Sequence, residues 1–483
     1  MAASPAQVKV VFTTDEEDLQ LPEARRQLLV PAGKQTAQLA SYTCFRGSHS
    51  PDIKRYGLSR ILNSESMLDT SSPTPLDFIV DGAFLRTSIE DYLKANGLSS
   101  ETTLTLKYVR SLIPPVYRAS FQHDDWVGAV DVLSSSAPAA KGIHGTVNDR
   151  VASAGYDGLV RIWNPSGDII ATSAPTGYPP RLNSVRWVSP TKLVSAGLQG
   201  EVVVWSYSEA SHGTSGSFKC DMKLVGHEKQ IHNLDVNSLT KRVLSASSDG
   251  CVGLWSSSKD AAPKVDAADS SEPKRTKLAA SATFAERGPL AMMPMHDSQV
   301  MAAVFHAHDS TVAYSASQDG TVKTIDLTTQ RQVSSLTTKH PVVCAAALRN
   351  SLIAAGSSAK HIALLDPRES AATTAAMTLH GHTNWVVSVS QSPSDDFSLV
   401  SGSWDSTCRV WDLRSAKRAT NDVDGVVGKP VYTIGRNWLK GQLPAAGHGA
   451  KVLSVVWDKA WGIVSAGEDK TVQVNSARDI LAQ

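Results

Sequence analysis

The chain has 483 residues with 41% hydrophobic content, enough to bury a large core and to hold more than one domain. Its 47 basic and 46 acidic residues leave a formal charge of +1, which argues against bulk phosphate neutralisation along a nucleic acid. Five dispersed cysteines (Cys44, Cys220, Cys251, Cys344, Cys408) without a CxxC pair suit a reducing compartment, and the absence of a long apolar run gives no signal peptide or membrane span to expect.

In chain order, "QVKVVFTT" at 7–14 alternates as a strand does, and "RRQLLV" at 25–30 reads as its hairpin partner. The stretch 32–51 has no hydrophobic period and lengthens a connection that compact domains keep short. A lineage-specific loop and translated intron both fit it. "IKRYGLSRILNSE" at 53–65 places Tyr56, Leu58, Ile61 and Leu62 at helical spacing. "LDFIVDGAFLR" then gives two short strands about a turn, "SIEDYLKAN" a helical turn, and "TLTLKYV" a last strand. The order β-β-α-β-β-β is similar to an α+β ubiquitin-like domain, expected over 1–111. Gly97 caps the helical turn, so Ser99, Ser100 and Glu101 of "GLSSE" fall on an exposed loop. On residue type alone, Glu101 is a solvated turn acid.

Residues 112–122 read as a linker and a strand, and 123–483 carry a repeat. Phrases such as "VASAGYDGLVRIW", "VLSASSDGCVGLW" and "LVSGSWDSTCRVWD" recur seven times. Trp163 to Trp205 is 42 residues and Ile325 to Leu365 is 40, the period of a four-stranded propeller blade. The phrases resemble WD repeats, although the literal pair survives only as Trp411-Asp412. Few residues follow Val474, so "VYRASF" at 116–121 is expected to supply the last blade's outer strand and remove an open edge. Two insertions break the period. That at 256–288 has the composition of a disordered loop, and its "PKRTK" reads as an import cluster or as plain solvating charge. That at 415–446 holds Tyr432 and Trp438, which point to partial packing. The expected fold is an all-β seven-bladed WD-repeat β-propeller preceded by the ubiquitin-like domain.

Histidines precede most repeats (His123, His227, His296, His340, His382, His448), and turn aspartates recur at 157, 249, 319, 405 and 469. Spread once per blade, they read as satisfied buried groups and not as a metal or acid–base site. In WD-repeat proteins such a His, a strand Ser, the Asp and the terminal Trp bond in a chain. His382, Asp405 and Trp411 are its clearest members here. Repeat 2 lacks the His and has Gln199 in the Asp position, and repeat 5 has Lys360 there, so both are expected to be less tightly stapled.

The combination, carried by "IKRYGLS", "DFIVDGAFLRTSIEDYLKANGLSSE", "FQHDDWV", "GHTNWVVSV" and "LVSGSWD", resembles the WD-repeat subunit family of the pescadillo–block-of-proliferation complex, in its fungal form. That resemblance implies a non-catalytic factor of large-ribosomal-subunit maturation in the nucleolus and nucleoplasm. It implies that Glu101 completes the coordination of a Mg²⁺ held by the adhesion site of the AAA ATPase midasin, with no cofactor of the chain's own. Ser99 and Ser100 then either shape the loop or bond to the partner's ligand cage. The resemblance also implies that the propeller docks on the block-of-proliferation protein, and on pescadillo through it. Tyr156, Trp385 and Trp404 stand at positions that anchor a partner or pack between blades. An enzyme lacks its motifs here: there is no GxSxG, GxxxxGK[ST] or HExxH. A ubiquitin-pathway substrate adaptor and a notchless-type assembly factor remain as alternatives. The first lacks a diglycine tail, and the second carries eight repeats against the seven counted. Near-zero net charge makes direct rRNA contact secondary.

Overall fold

The computed structural model describes residues 7–31, 54–68, 73–99, 101–142, 146–175, 177–178, 180–210, 212–265, 284–368, 375–418, 425–436 and 449–476. They fall into two units, Met1–Ile113 with Arg414–Arg418, and Pro114–Leu413 with Ala419–Gln483. The insertion expected at 32–51, Ser100, Trp438 and His448 lie outside the described residues.

In the first unit β1 (Gln7–Thr13) pairs with β2 (Gln27–Pro31), and α1 (Arg55–Leu62) precedes β3 (Leu76–Val80) and β4 (Ala83–Phe84). α2 (Ile89–Ala95) and β5 (Leu104–Arg110) complete it. The sheet order is β2-β1-β5-β3-β4, with β1 and β5 parallel at the centre. Alternation sends Val8, Val10, Phe12, Leu106 and Tyr108 to one face, where Leu58 and Leu62 of α1 cover them. Each of those two leucines, fully buried, contributes about 1.5–3 kcal/mol. Tyr56, read at the same helical spacing, is instead 75% exposed. Residues two apart on a helix face opposite sides, so a helix that buries Leu58 turns Tyr56 outward.

The second unit is a ring of seven four-stranded blades. Their inner strands are Val127–Leu133, Leu182–Ser189, Ile231–Asn237, Val300–Phe305, Val342–Ala347, Val386–Gln391 and Val452–Asp458. The seventh blade takes its outer strand from ahead of the first: β6 (Val116–Gln122) runs antiparallel to Thr471–Ser476. Burial on both sheet faces makes second strands such as Ser398–Ser403 continuous apolar-and-serine runs. The turn after each second strand needs one left-handed residue. Gly158, Gly200, Gly250 and Gly320 supply it in blades 1 to 4, and Lys360, Ser406 and Lys470 adopt φ of +69°, +69° and +60° in blades 5 to 7. Lys360 is therefore the left-handed residue, and Ala359 stands in the Asp position of blade 5.

Both insertions contribute strands. Residues Ala285–Arg287, inside the segment expected to be disordered over 256–288, pair in parallel with blade 2 through Met222↔Ala285, and Ala262 is buried beside Trp255. An outer blade edge has unpaired backbone groups that such a strand satisfies. "PKRTK" lies outside the described residues. The second insertion holds the fourth strand of blade 6, Val426–Gly435, whose Val427 also pairs in parallel with Thr378 of blade 5. Blades 5 and 6 thereby form one eight-stranded sheet.

Candidate functional site

In blade 6, His382 Nδ1 lies 2.8 Å from Asp405 Oδ2 and Nε2 lies 2.7 Å from Ser401 Oγ, while Trp411 Nε1 donates to Ser401 Oγ at 2.8 Å. The carboxylate can only accept, so Nδ1 carries the proton and the Ser401 hydroxyl donates to Nε2. Burial pushes the His382 imidazole down, which keeps it neutral. Burial works to raise the Asp405 carboxyl, but the hydrogen bonds it accepts from His382, the Thr407 hydroxyl and the Thr383 N–H hold it well below the usual carboxylate range. The structure thus brings His382, Asp405 and Trp411 together through Ser401. Blade 3 repeats the arrangement with His227, Asp249, Ser245 and Trp255, and blade 4 with His296, Asp319 and Ser315.

The other blades depart from it. His123 bonds Ser153 at 2.8 Å, while Asp157 pairs with Arg161. In blade 2 Trp205 bonds Ser195. In blade 7, Arg436, 2% exposed, does the work of a histidine: Nε reaches Asp469 at 2.6 Å and Nη1 reaches Ser465 at 2.8 Å. Blade 5 has no such network among the described residues. In blades 1, 3, 4 and 6 the residue three past the histidine accepts a backbone bond from the turn; in blade 5 that acceptor is Pro341. Thr338 therefore holds the histidine position, and His340 stands two residues beyond it with its ring 5.5 Å from that of His361.

The same backbone bond rings one end of the propeller. The turn N–H donates to Trp126, Arg181, Gln230, Gln299, Pro341, Trp385 and Lys451 in blades 1 to 7, at 2.8–3.1 Å. Blades 3 to 5 present uncharged polar side chains or proline here, whereas blades 6, 7, 1 and 2 present aromatics and charge. Trp385 stacks on Trp404 at 4.8 Å and 13°, with Lys451 Nζ of blade 7 4.9 Å from the Trp404 ring. Trp126 lies 5.7 Å from Tyr156, with the Arg181 guanidinium of blade 2 4.4 Å from the Tyr156 ring. Trp126 and Trp385 remain 40% and 36% exposed, and Trp404 Nε1 is buried without a hydrogen-bond partner. So Tyr156, Trp385 and Trp404 both pack within their blades and border solvent. Sequence reasoning missed Trp126, Arg181 and Lys451. The signal for Trp126 was present: His123-x-x-Trp126 repeats the spacing of His382-x-x-Trp385.

In the first unit, Ser88 caps α2 by accepting the Asp91 N–H at 3.1 Å. At the other end Gly97 adopts φ +65°, its N–H bonding Lys94 and the Leu98 N–H bonding Leu93 at 2.9 Å. That is a Schellman cap, and its left-handed residue directs the chain off the helix. Ser99 then accepts the Glu101 N–H on its hydroxyl at 3.3 Å and the Thr102 N–H on its carbonyl at 3.1 Å. The Glu101 side chain is exposed on this turn, three residues ahead of the strand start at buried Leu104. Among the described residues no three His, Cys, Asp or Glu are grouped to hold a metal ion.

These two units and the blade networks define a WD-repeat β-propeller protein with an N-terminal ubiquitin-like domain. Residues 50–93 match the NLE (NUC135) domain, and 218–256, 287–326 and 374–412 match the WD domain, G-beta repeat. The crystal structure of the WD40 beta propeller domain of Doa1 is similar in fold, with TM-score 0.52 and 19% identity, over 75% of this chain and 97% of that one. Ribosome biogenesis protein YTM1 of Chaetomium globosum is 51% identical over 100% of this chain and 99% of its own length. That of Chaetomium thermophilum is 51% identical over 100% and 98%, and that of Neurospora crassa 51% over 99% and 99%. The chain belongs to this YTM1 family of fungal ribosome biogenesis proteins.

Proposed function

We propose that the chain is a non-catalytic ribosome biogenesis factor of the large subunit, working in the nucleolus and nucleoplasm as an adaptor between a docked complex and a force-generating ATPase. Glu101 completes the coordination of a Mg²⁺ held by the adhesion site of midasin. ATP hydrolysis there draws the subunit off the pre-ribosomal particle. The observation that carries this reading is the exposed Glu101 carboxylate on a turn braced by Ser99 and by the capped end of α2. Mg²⁺ takes oxygen ligands in a strict octahedron, and an exposed carboxylate can fill one vacant position. Ser99 shapes the turn, and Ser100 is placed with it as a contact of the partner.

The propeller is the docking half. Its aromatic arc, with Trp126 and Trp385 exposed beside Tyr156 and Trp404, has the aromatic anchors that dominate protein interfaces. The partner assigned to it is the block-of-proliferation-type WD-repeat protein, with pescadillo held through that protein.

The test is capture of wild type, Glu101→Ala and Glu101→Asp by the isolated adhesion domain of midasin, in Mg²⁺ and in EDTA. Wild type is expected to bind only with Mg²⁺. Alanine should abolish binding, and aspartate, one methylene shorter, should weaken it. Equal capture of all three in EDTA would leave Glu101 a plain turn residue.

A further inference from the structure

The second unit begins at Pro114, and its first strand, β6, starts at Val116. Two prolines thus join the first unit to the strand that closes the propeller. Proline fixes φ and lowers chain entropy, so this joint offers little slack. β6 is held to blade 7 without backbone continuity, by pairings from Gln122↔Thr471 to Val116↔Ser476. Along it only Phe121 is buried; Val116 and Tyr117 at the loaded end are exposed. The Phe121 ring stacks on Trp163 of blade 1 at 5.4 Å and 12°, and meets Trp461 of blade 7 edge-on at 6.4 Å. The rest of blade 7 is braced independently of β6. Arg436 ties Asp469, Ser465 and Thr471 together, at 2.5–3.0 Å.

We propose that β6 is a force-sensitive clasp: tension carried through Pro114 and Pro115 reaches Val116, strips β6 from Thr471–Ser476 and unfastens the ring at blade 7 before any other blade yields. Phe121 is the last hold, since it is the strand's one buried side chain and it bridges blades 7 and 1. The opened seam lies between the Trp385–Trp404 pair of blade 6 and the Trp126–Tyr156 pair of blade 1, so traction loosens the arc assigned to docking. This use of tension rests on the proposed function; the strand's mechanical order does not.

The experiment is optical-tweezer extension of the full chain with handles at residues 114 and 330, which puts β6 and not the first unit under load. No ATPase, Mg²⁺ or partner is present, so failure here leaves the adhesion-site reading standing, and failure there leaves this one. The first event expected is a lengthening on the order of 25 Å, the reach of seven extended residues, ahead of the main unfolding. Phe121→Ala should lower its force. A disulfide between Val116→Cys and Ser476→Cys should abolish it when oxidised and restore it on reduction. Traces that are the same oxidised and reduced, or a first event that releases a whole blade, would overturn the proposal.

Discussion

Ser401→Ala tests whether the blade networks hold the propeller together. Ser401 is fully buried, and its hydroxyl both donates to His382 Nε2 and accepts from Trp411 Nε1. Alanine leaves one acceptor and one donor unpaired where water cannot reach them. At about 1–3 kcal/mol for each orphaned buried group, the cost should be about 2–6 kcal/mol. Ser195 of blade 2 is the internal control. It is equally buried but bonds only Trp205, so Ser195→Ala strands one donor and should cost about 1–3 kcal/mol. Urea titrations at pH 7.5, followed by tryptophan fluorescence, would read both as shifts in midpoint at unchanged slope. Equal costs, or a Ser401→Ala cost below about 1 kcal/mol, would mean that the histidine and carboxylate add nothing to the serine–indole bond, and the reasoning fails.

Acidification should act through the same groups. Burial, then the charge of Arg161, pushes the His123 imidazole down from 6.5 to about 4, so between those values only the unfolded chain takes the proton. Its stabilisation is complete above pH 6.5 and is lost as pH falls toward 4, by roughly 3 kcal/mol. His227, His296 and His382 are lowered by burial too and add losses of the same sign. Urea midpoints should fall from pH 7 to pH 4, more shallowly in His123→Gln; a flat wild-type profile would contradict this. Gly97→Ala probes the loop stem. A β-carbon there meets nothing within 4 Å, so only the backbone at φ +65° resists it. The left-handed penalty of about 1–2 kcal/mol, less about 0.4–1 for the stiffer unfolded chain, predicts a net loss near 1 kcal/mol in the first unit's thermal unfolding. Gly97→Asn, which tolerates that conformation, should recover most of it.

The blades were legible because each carries its own punctuation: a serine run, a tight turn and a terminal indole, forty-odd residues apart. The first unit was legible from alternation in β1 and β5 and from Leu58 and Leu62, but not from Tyr56, where spacing alone cannot tell two faces of a short helix apart. Arg436 could not be read. It works on Asp469 from the end of blade 6's outer strand, outside the histidine spacing, and nothing local marks a guanidinium as a stand-in for an imidazole. His340 and Lys360 were misplaced for a related reason: with Ala355, Ala359 and Leu365 at the network positions, blade 5 has no side chain to fix the register. The aromatic arc needed the fold, since Arg181 and Lys451 meet Tyr156 and Trp404 only across blade boundaries.

The pairing of β6 with Thr471–Ser476 also sets a timetable during synthesis. The strand leaves the ribosome well before its complement, which lies about 350 residues further along the chain. At about 5–20 residues per second, the wait is on the order of 20–70 s. Through that interval Phe121 has no pocket and the growing fan of blades has two open edges, each a template for a neighbouring nascent chain. Chaperone demand should therefore persist until Thr471–Ser476 is made, and clusters of ribosomes on one message are where mispaired copies of this chain should collect.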